Sequence, residues 1–190
     1  MRGARAQWQR RWDRPDLAEA LVRSGDATGG LALISQTPGD CYLCLTARGR
    51  IAAFQRDWPS AQAAFAEAVR QGPATPFAYV DWGQMLFDKG DITGATERLG
   101  QAHIKGPRFA DPLELWGEAL MRQGDAAGAQ AKFPLAAKYA PRCGRLHLRW
   151  GQALAKTGKP AEARAQWQAA SALDLSAADR AELAGLMRPL

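Results

Sequence analysis

Trp82-Gly83, Trp116-Gly117 and Trp150-Gly151 stand 34 residues apart, and Gly49 and Gly185 fall on the same spacing. A fixed period of this size marks an array of stacked supersecondary units, so self-similarity is weighed before length is turned into a domain count. Large or apolar residues flank each in-phase glycine on both sides: Leu45 and Ala52, Tyr79 and Leu86, Leu113 and Leu120, His147 and Leu154. Seven residues beyond it comes a turn, Gly90-Asp91, Gly124-Asp125 or Gly158-Lys159, with Arg56-Asp57 in that place in the first copy. Each unit therefore reads as helix, turn, helix, and the fold class is all-α.

The second helices repeat a finer pattern. Ala61, Ala95, Ala129 and Ala163 fall twelve residues after the glycine, followed four residues on by Phe65, Leu99, Phe133 or Trp167, and three later by Ala68, Ala102, Ala136 or Ala170. Offsets of four and three share one helix face. Glycine in a helix interior costs about 1 kcal/mol against alanine, so its recurrence predicts a packing need. Small residues would let the axes come close while Trp and Phe fill the space on either side. Pro73, Pro107 and Pro141 close three of the units, and Pro134, inside a predicted second helix, should kink it locally.

At 190 residues, 47% hydrophobic and 23% charged, the composition suits a helical protein and excludes a disordered one. Most of the net charge of +6 sits at the start, where Arg2, Arg5, Arg10, Arg11 and Arg14 oppose only Asp13; the other 20 basic and 18 acidic residues nearly balance. The array itself therefore carries no nucleic-acid signature, and no nucleic-acid partner is expected of it. Residues 4–9 repeat as residues 163–168, which predicts a helix over Ala4 to Trp12, with Trp8 and Trp12 docking as a cap. The alternative for that basic segment is an anionic surface, membrane or nucleic acid. No stretch is long and apolar enough to span a membrane. No secretory signal is read, and three cysteines, an odd count, fit a reducing compartment; the expectation is cytoplasmic.

The expected layout is one array over residues 1–190. It comprises a basic helix or cap at 1–15, a degenerate repeat at 16–40 running three residues short, regular repeats at 42–75, 76–109, 110–143 and 144–177, and a capping helix at 177–190. Ser176 and Asp179 resemble a capping box opening that last helix.

With the in-phase Gly and the A-x3-F and A signposts recurring four times and the P three times, though Trp precedes the Gly in three copies where the family usually has Leu, the chain resembles the tetratricopeptide repeat family. The resemblance implies a right-handed α-α superhelical solenoid whose first helices line a concave groove. It further implies that residues six and three before the glycine, and one, four and five after it, face inward. Those are Leu43, Thr46, Arg50, Ala53 and Phe54, then Phe77, Val80, Gln84, Phe87 and Asp88. Asp111, Glu114, Glu118, Met121 and Arg122 follow, then Arg145, Leu148, Gln152, Ala155 and Lys156. Arg50, Gln84, Glu118 and Gln152 form a polar ladder, Asp111, Glu114 and Glu118 an acidic stack, and Phe54, Phe77, Phe87 and Met121 apolar contacts. That mixture suits a peptide or helix with apolar anchors and a basic or amide group at its middle. The Lys and Asn clamp with which some members hold a C-terminal carboxylate is missing, so chaperone-tail binding is disfavoured.

Chemistry has few candidates. Cys41 and Cys44 would lie in the first turn of a helix capped by Asp40, where a redox or metal role is an alternative, against packing as small apolar residues. His103 and His147 lack partners at metal-ligand spacing. Gly25 to Gly30 lacks the ending of a phosphate loop, and no Gly-x-Ser-x-Gly elbow occurs. The reading is a noncatalytic scaffold or adaptor that needs no cofactor, binds a protein or peptide in its groove, and is open to self-association through its worn first repeat.

Overall fold

The computed structural model describes residues 14–188, which hold eleven α-helices and no strand. The expected N-terminal cap lies outside the described residues. The chain divides into two compact units, Met1–Asp91 and Ile92–Leu190, parted between the two helices of the repeat expected at 76–109. The first holds α1 (Arg14–Arg23), α2 (Ala27–Ser35), α3 (Tyr42–Phe54), α4 (Trp58–Gln71) and α5 (Phe77–Lys89). The second holds α6 (Ile92–Lys105), α7 (Asp111–Gln123), α8 (Ala126–Tyr139), α9 (Gly144–Lys156), α10 (Pro160–Ser171) and α11 (Ala177–Leu186).

One small device makes the turns. Gly25, Gly90, Gly124 and Gly158 take positive φ, and Arg56 does so at 61°, the one described non-glycine residue that does. This left-handed residue ends one helix, and at Asp26, Asp57 and Asp125 the aspartate after it caps the next, whereas Lys159 follows Gly158 with no side-chain cap. Asp26 accepts from the Gly29 N–H at 2.9 Å, Asp57 from Ser60 at 3.2 Å and Asp125 from Gly128 at 2.7 Å.

In the first unit α1 and α2 pack as a hairpin around Ala18, Val22 and Ile34, closed by Ala47 and Ile51 of α3. Arg48 ties the connection down by donating to the carbonyls of Ile34, Thr37 and Pro38 and to the Thr37 hydroxyl. The Tyr42 hydroxyl accepts from Thr75 Oγ1 at 2.9 Å and from the Ala78 N–H at 3.0 Å, fixing α3 to the start of α5. In the second unit Leu113, Phe133 and Leu146 centre the core with Ala129, Ala136 and Ala153. Leu183 of α11 is 4% exposed against Leu148 and Ala170, and Ser176 caps that helix by accepting from the Asp179 N–H at 3.0 Å.

The in-phase glycines do have a packing cause, with a different geometry from the one the sequence predicts. A Cβ at Gly117 would meet Phe133 Cε1 at 2.5 Å, and one at Gly49 would meet Phe65 Cδ1 at 2.7 Å. The ring lies on the glycine itself instead of beside it, and both phenylalanines are fully buried. Gly151 takes the Trp167 indole in the same way. Gly185 keeps the phase without the reason, since a Cβ there meets nothing within 4 Å. α8 runs through Pro134 from Ala126 to Tyr139.

The cysteines depart from expectation. α3 starts at Tyr42, so its N-cap is Cys41 and not Asp40, with Sγ accepting from the Cys44 N–H at 3.2 Å. Three residues across a helix start bring the two sulfurs together, and Cys41 and Cys44 are joined as a disulfide, their Cα atoms 5.1 Å apart. Cys143 is the free thiol.

Candidate partner-binding faces of the first helices

In the first unit α1, α3 and α5 each contribute to one charged cluster. Arg50 donates to Glu19 at 2.6 Å and to Asp81 at 3.0 Å, and lies 3.6 Å from Asp16, so one guanidinium bridges all three helices. Burial pushes the Glu19 carboxyl up, but hydrogen bonds and charge from Arg50 and Arg23 outweigh it and hold the group below its usual range. Burial wins at Asp81, which is raised despite Arg50. Arg23 bonds Glu19 at 2.8 Å and lies 5.1 Å from the centroid of the Phe54 ring, a cation–π contact.

On α3 and α5 three large apolar side chains stay about half-exposed. Leu43 is 50% exposed, Phe54 49% and Phe77 56%. Phe87 is half-buried, and Gln84 donates to Asp88 at 2.9 Å one turn away. Thr46 and Val80, at inward positions by the resemblance, are buried instead. Thr46 spends its hydroxyl on the Leu43 carbonyl at 3.0 Å.

In the second unit Glu114 and Glu118 of the acidic stack are drawn into the structure, while Asp111 stays exposed. Glu114 is only 8% exposed. Arg145 donates to Glu118 at 2.7 Å and lies 3.8 Å from Glu114, while Cys143 Sγ sits 3.6 Å from the other Glu114 oxygen. Burial lifts the carboxyls of Glu114 and Glu118 above the usual range against the pull of Arg145, and burial also lifts Asp111. Leu148 is core. Gln152 donates to Glu182 at 2.5 Å, and Met121 is half-buried beside exposed Arg122.

Sequence spacing missed one organiser here. Arg149, two residues before the glycine, donates to Asp179 at 3.0 Å and Glu182 at 2.7 Å, pinning α11 to α9. Its signal was an acidic pair, Asp179 and Glu182, three apart on the last helix. Of the ladder, Arg50, Glu118 and Gln152 are engaged across helices, and Gln84 on its own helix. His147 is likewise structural, contacting Gln166 Oε1 at 2.8 Å and the Pro141 carbonyl at 3.0 Å, with its ring 6.2 Å from that of Trp150. Among the described residues no three His, Cys, Asp or Glu side chains gather to hold a metal ion, and no helix is long and apolar enough to cross a membrane.

Comparisons with known proteins agree on the architecture. The profile of the tetratricopeptide repeat matches residues 46–111 and 114–182. No curated protein sequence matches the chain. Among solved structures, PilF of Pseudomonas aeruginosa superposes with a TM-score of 0.78 at 14% identity, over 95% of this chain and 90% of that one. A thermophilic tetratricopeptide repeat protein of Thermus thermophilus gives 0.77 at 17% identity, over 93% and 98%. MamA from Desulfovibrio magneticus RS-1 gives 0.68 at 16%, over 86% and 94%. At these identities the likeness is one of fold, the all-α solenoid of helix-turn-helix repeats.

Proposed function

The chain belongs to the tetratricopeptide repeat family, and on that premise we propose that it is a noncatalytic scaffold whose first-helix faces receive a peptide or helix of a protein partner. The fold supports a protein-interaction role in general. One observation carries the finer reading: Leu43, Phe54 and Phe77 lie half in solvent on the first helices of one unit, although Phe65, the second-helix ring that packs against Gly49 there, is sealed. Uncovered aromatic anchors beside a polar cluster are the composition of a binding face.

Two of the stacked acids already have a partner within the chain. Glu114 and Glu118 serve Arg145, so reversing their charge would break internal pairs before it touched a partner. The rings are the better probe. Covering the exposed half of each is worth about 1 kcal/mol, and 1.4 kcal/mol is a factor of ten in affinity. A photo-crosslinking amino acid placed at Phe77 should give partner adducts in cell extract, while one at exposed Gln62 on α4 should not. Phe54→Ala with Phe77→Ala should reduce the adducts of a crosslinker at Leu43 about tenfold or more at unchanged helicity. Equal adducts from the position 62 probe, or undiminished adducts in the double variant, would count against the reading.

A further inference from the structure

The start of α3 holds a pair of sulfurs that the scaffold reading leaves without a role. Cys41 is the N-cap and is half-buried, Cys44 lies in the first turn and is 3% exposed, and the two are joined. We propose that this pair is a thiol–disulfide exchange site, opened by a small-molecule thiol that attacks Cys41 while the array stays folded. The inference is independent of what the first-helix faces bind.

Three observations carry it. The bond adds little to the fold, because it joins residues only three apart and the constraint a disulfide puts on the unfolded chain grows with loop length. The segment is held without it: the Leu45 N–H donates to the Cys41 carbonyl at 2.9 Å, Tyr42 ties to Thr75 and Ala78, and Arg48 donates to the Pro38 carbonyl before the helix. The two sulfurs are also unequal. An attacking thiolate can reach half-buried Cys41 but not sealed Cys44, and access decides which sulfur is attacked. Finally, the opened form has its place prepared. Cys41 Sγ already accepts from the Cys44 N–H at 3.2 Å, and a negatively charged sulfur there would accept more strongly, at the positive end of a 13-residue helix.

The exchange balances in two steps. The external thiolate bonds to Cys41 Sγ as the Cys41–Cys44 bond breaks, and Cys44 Sγ leaves with the electron pair and takes up a proton. A second external thiolate then attacks the outer sulfur of the mixed disulfide and releases Cys41, so two external thiols are oxidised to their disulfide while the pair is reduced.

The test equilibrates the intact chain across ratios of reduced to oxidised glutathione, quenches with acid, alkylates the free thiols in denaturant and maps them by mass spectrometry. The bond should open and re-form reversibly with the ratio, with helicity unchanged and the melting temperatures of the two forms within about 4 °C of each other. In a second arm Cys44→Ala should take glutathione onto Cys41 from glutathione disulfide. Cys41→Ser, whose hydroxyl keeps a cap on α3, should take it onto Cys44 about tenfold more slowly or less, and urea should abolish the difference. A bond that never forms, or one that survives every ratio until urea is added, would overturn the exchange site. So would a reduced chain that loses helicity or melts more than about 4 °C lower, or a Cys44 modified as fast as Cys41. Should a variant fail to fold, the ratios measured on the unaltered chain decide alone.

Discussion

Replacing Gly117 by valine is the sharpest perturbation of the packing that makes this array. Any Cβ there comes within 2.5 Å of Phe133 Cε1 and 2.7 Å of Cζ, whereas carbon atoms in contact settle at about 3.5–4.0 Å. The ring must retreat by roughly 1 Å, but it is fully buried among Ala129, Ala136 and Leu146 and has nowhere open to go. Overpacking of a filled core costs about 1–3 kcal/mol, and alanine recovers about 1 kcal/mol of helix propensity over glycine. Gly117→Ala should therefore lose up to about 2 kcal/mol, and valine, with two more methyls, about 3 kcal/mol. At roughly 2–4 °C per kcal/mol for a chain of this length, the valine variant should melt about 6–12 °C lower by circular dichroism. Two controls separate this mechanism from a generic effect. Gly185→Ala meets nothing within 4 Å and should raise stability by up to about 1 kcal/mol. Phe133→Leu should relieve Gly117→Ala, since α6 carries a fully buried leucine, Leu99, at that register. An unchanged melting temperature for Gly117→Val, or an equal loss for Gly185→Ala, would refute the reasoning.

Three further outcomes follow from the same coordinates. Arg56→Gly should stabilise the chain by about 1 kcal/mol in urea titration, because φ of 61° is strained for a residue with a Cβ; a destabilised variant would show that the arginine side chain matters more than its backbone. Burial raises the carboxyls of Glu114 and Glu118, so the folded chain binds their protons more tightly than the unfolded one. Their contribution is then full below an unfolded pKa of about 4.3 and is lost as pH rises through the raised values; Glu114→Gln should flatten that decline in urea midpoints between pH 4 and 7, and an unaltered slope would contradict it. Thiol titration in denaturant without reductant should find one group, Cys143, and three after reduction, because Cys41 and Cys44 are paired; three groups without reductant would exclude the disulfide.

The period was legible because glycine and alanine recur for a reason a single sequence exposes: each unit repeats the same ring over the same gap. The turn was legible too, down to Arg56 standing where the other copies have glycine. What the spacing could not show was reach. Arg50 meets Glu19 across 31 residues, the shortened period of the first repeat, and a long flexible side chain crossing between helices leaves no periodic trace. Placing Asp111, Glu114 and Glu118 on one helix face was a matter of counting, whereas the pairing of Glu114 and Glu118 with Arg145 depended on the neighbouring helix. Gly185 shows the opposite error, a residue in step with the period and out of contact. Cys41 and Cys44 gave their spacing freely, but whether two sulfurs bond depends on where the helix begins, and it begins two residues after Asp40, making Cys41 the cap.

Hydrogen–deuterium exchange of the chain, with and without a captured peptide, tests the central claim most directly. The account predicts slowed exchange or shielding in α3 and α5, strongest near Phe54 and Phe77, with the second helices α4, α8 and α10 unchanged. Protection confined to those second helices, or to the arginines that precede residue 15, would contradict it.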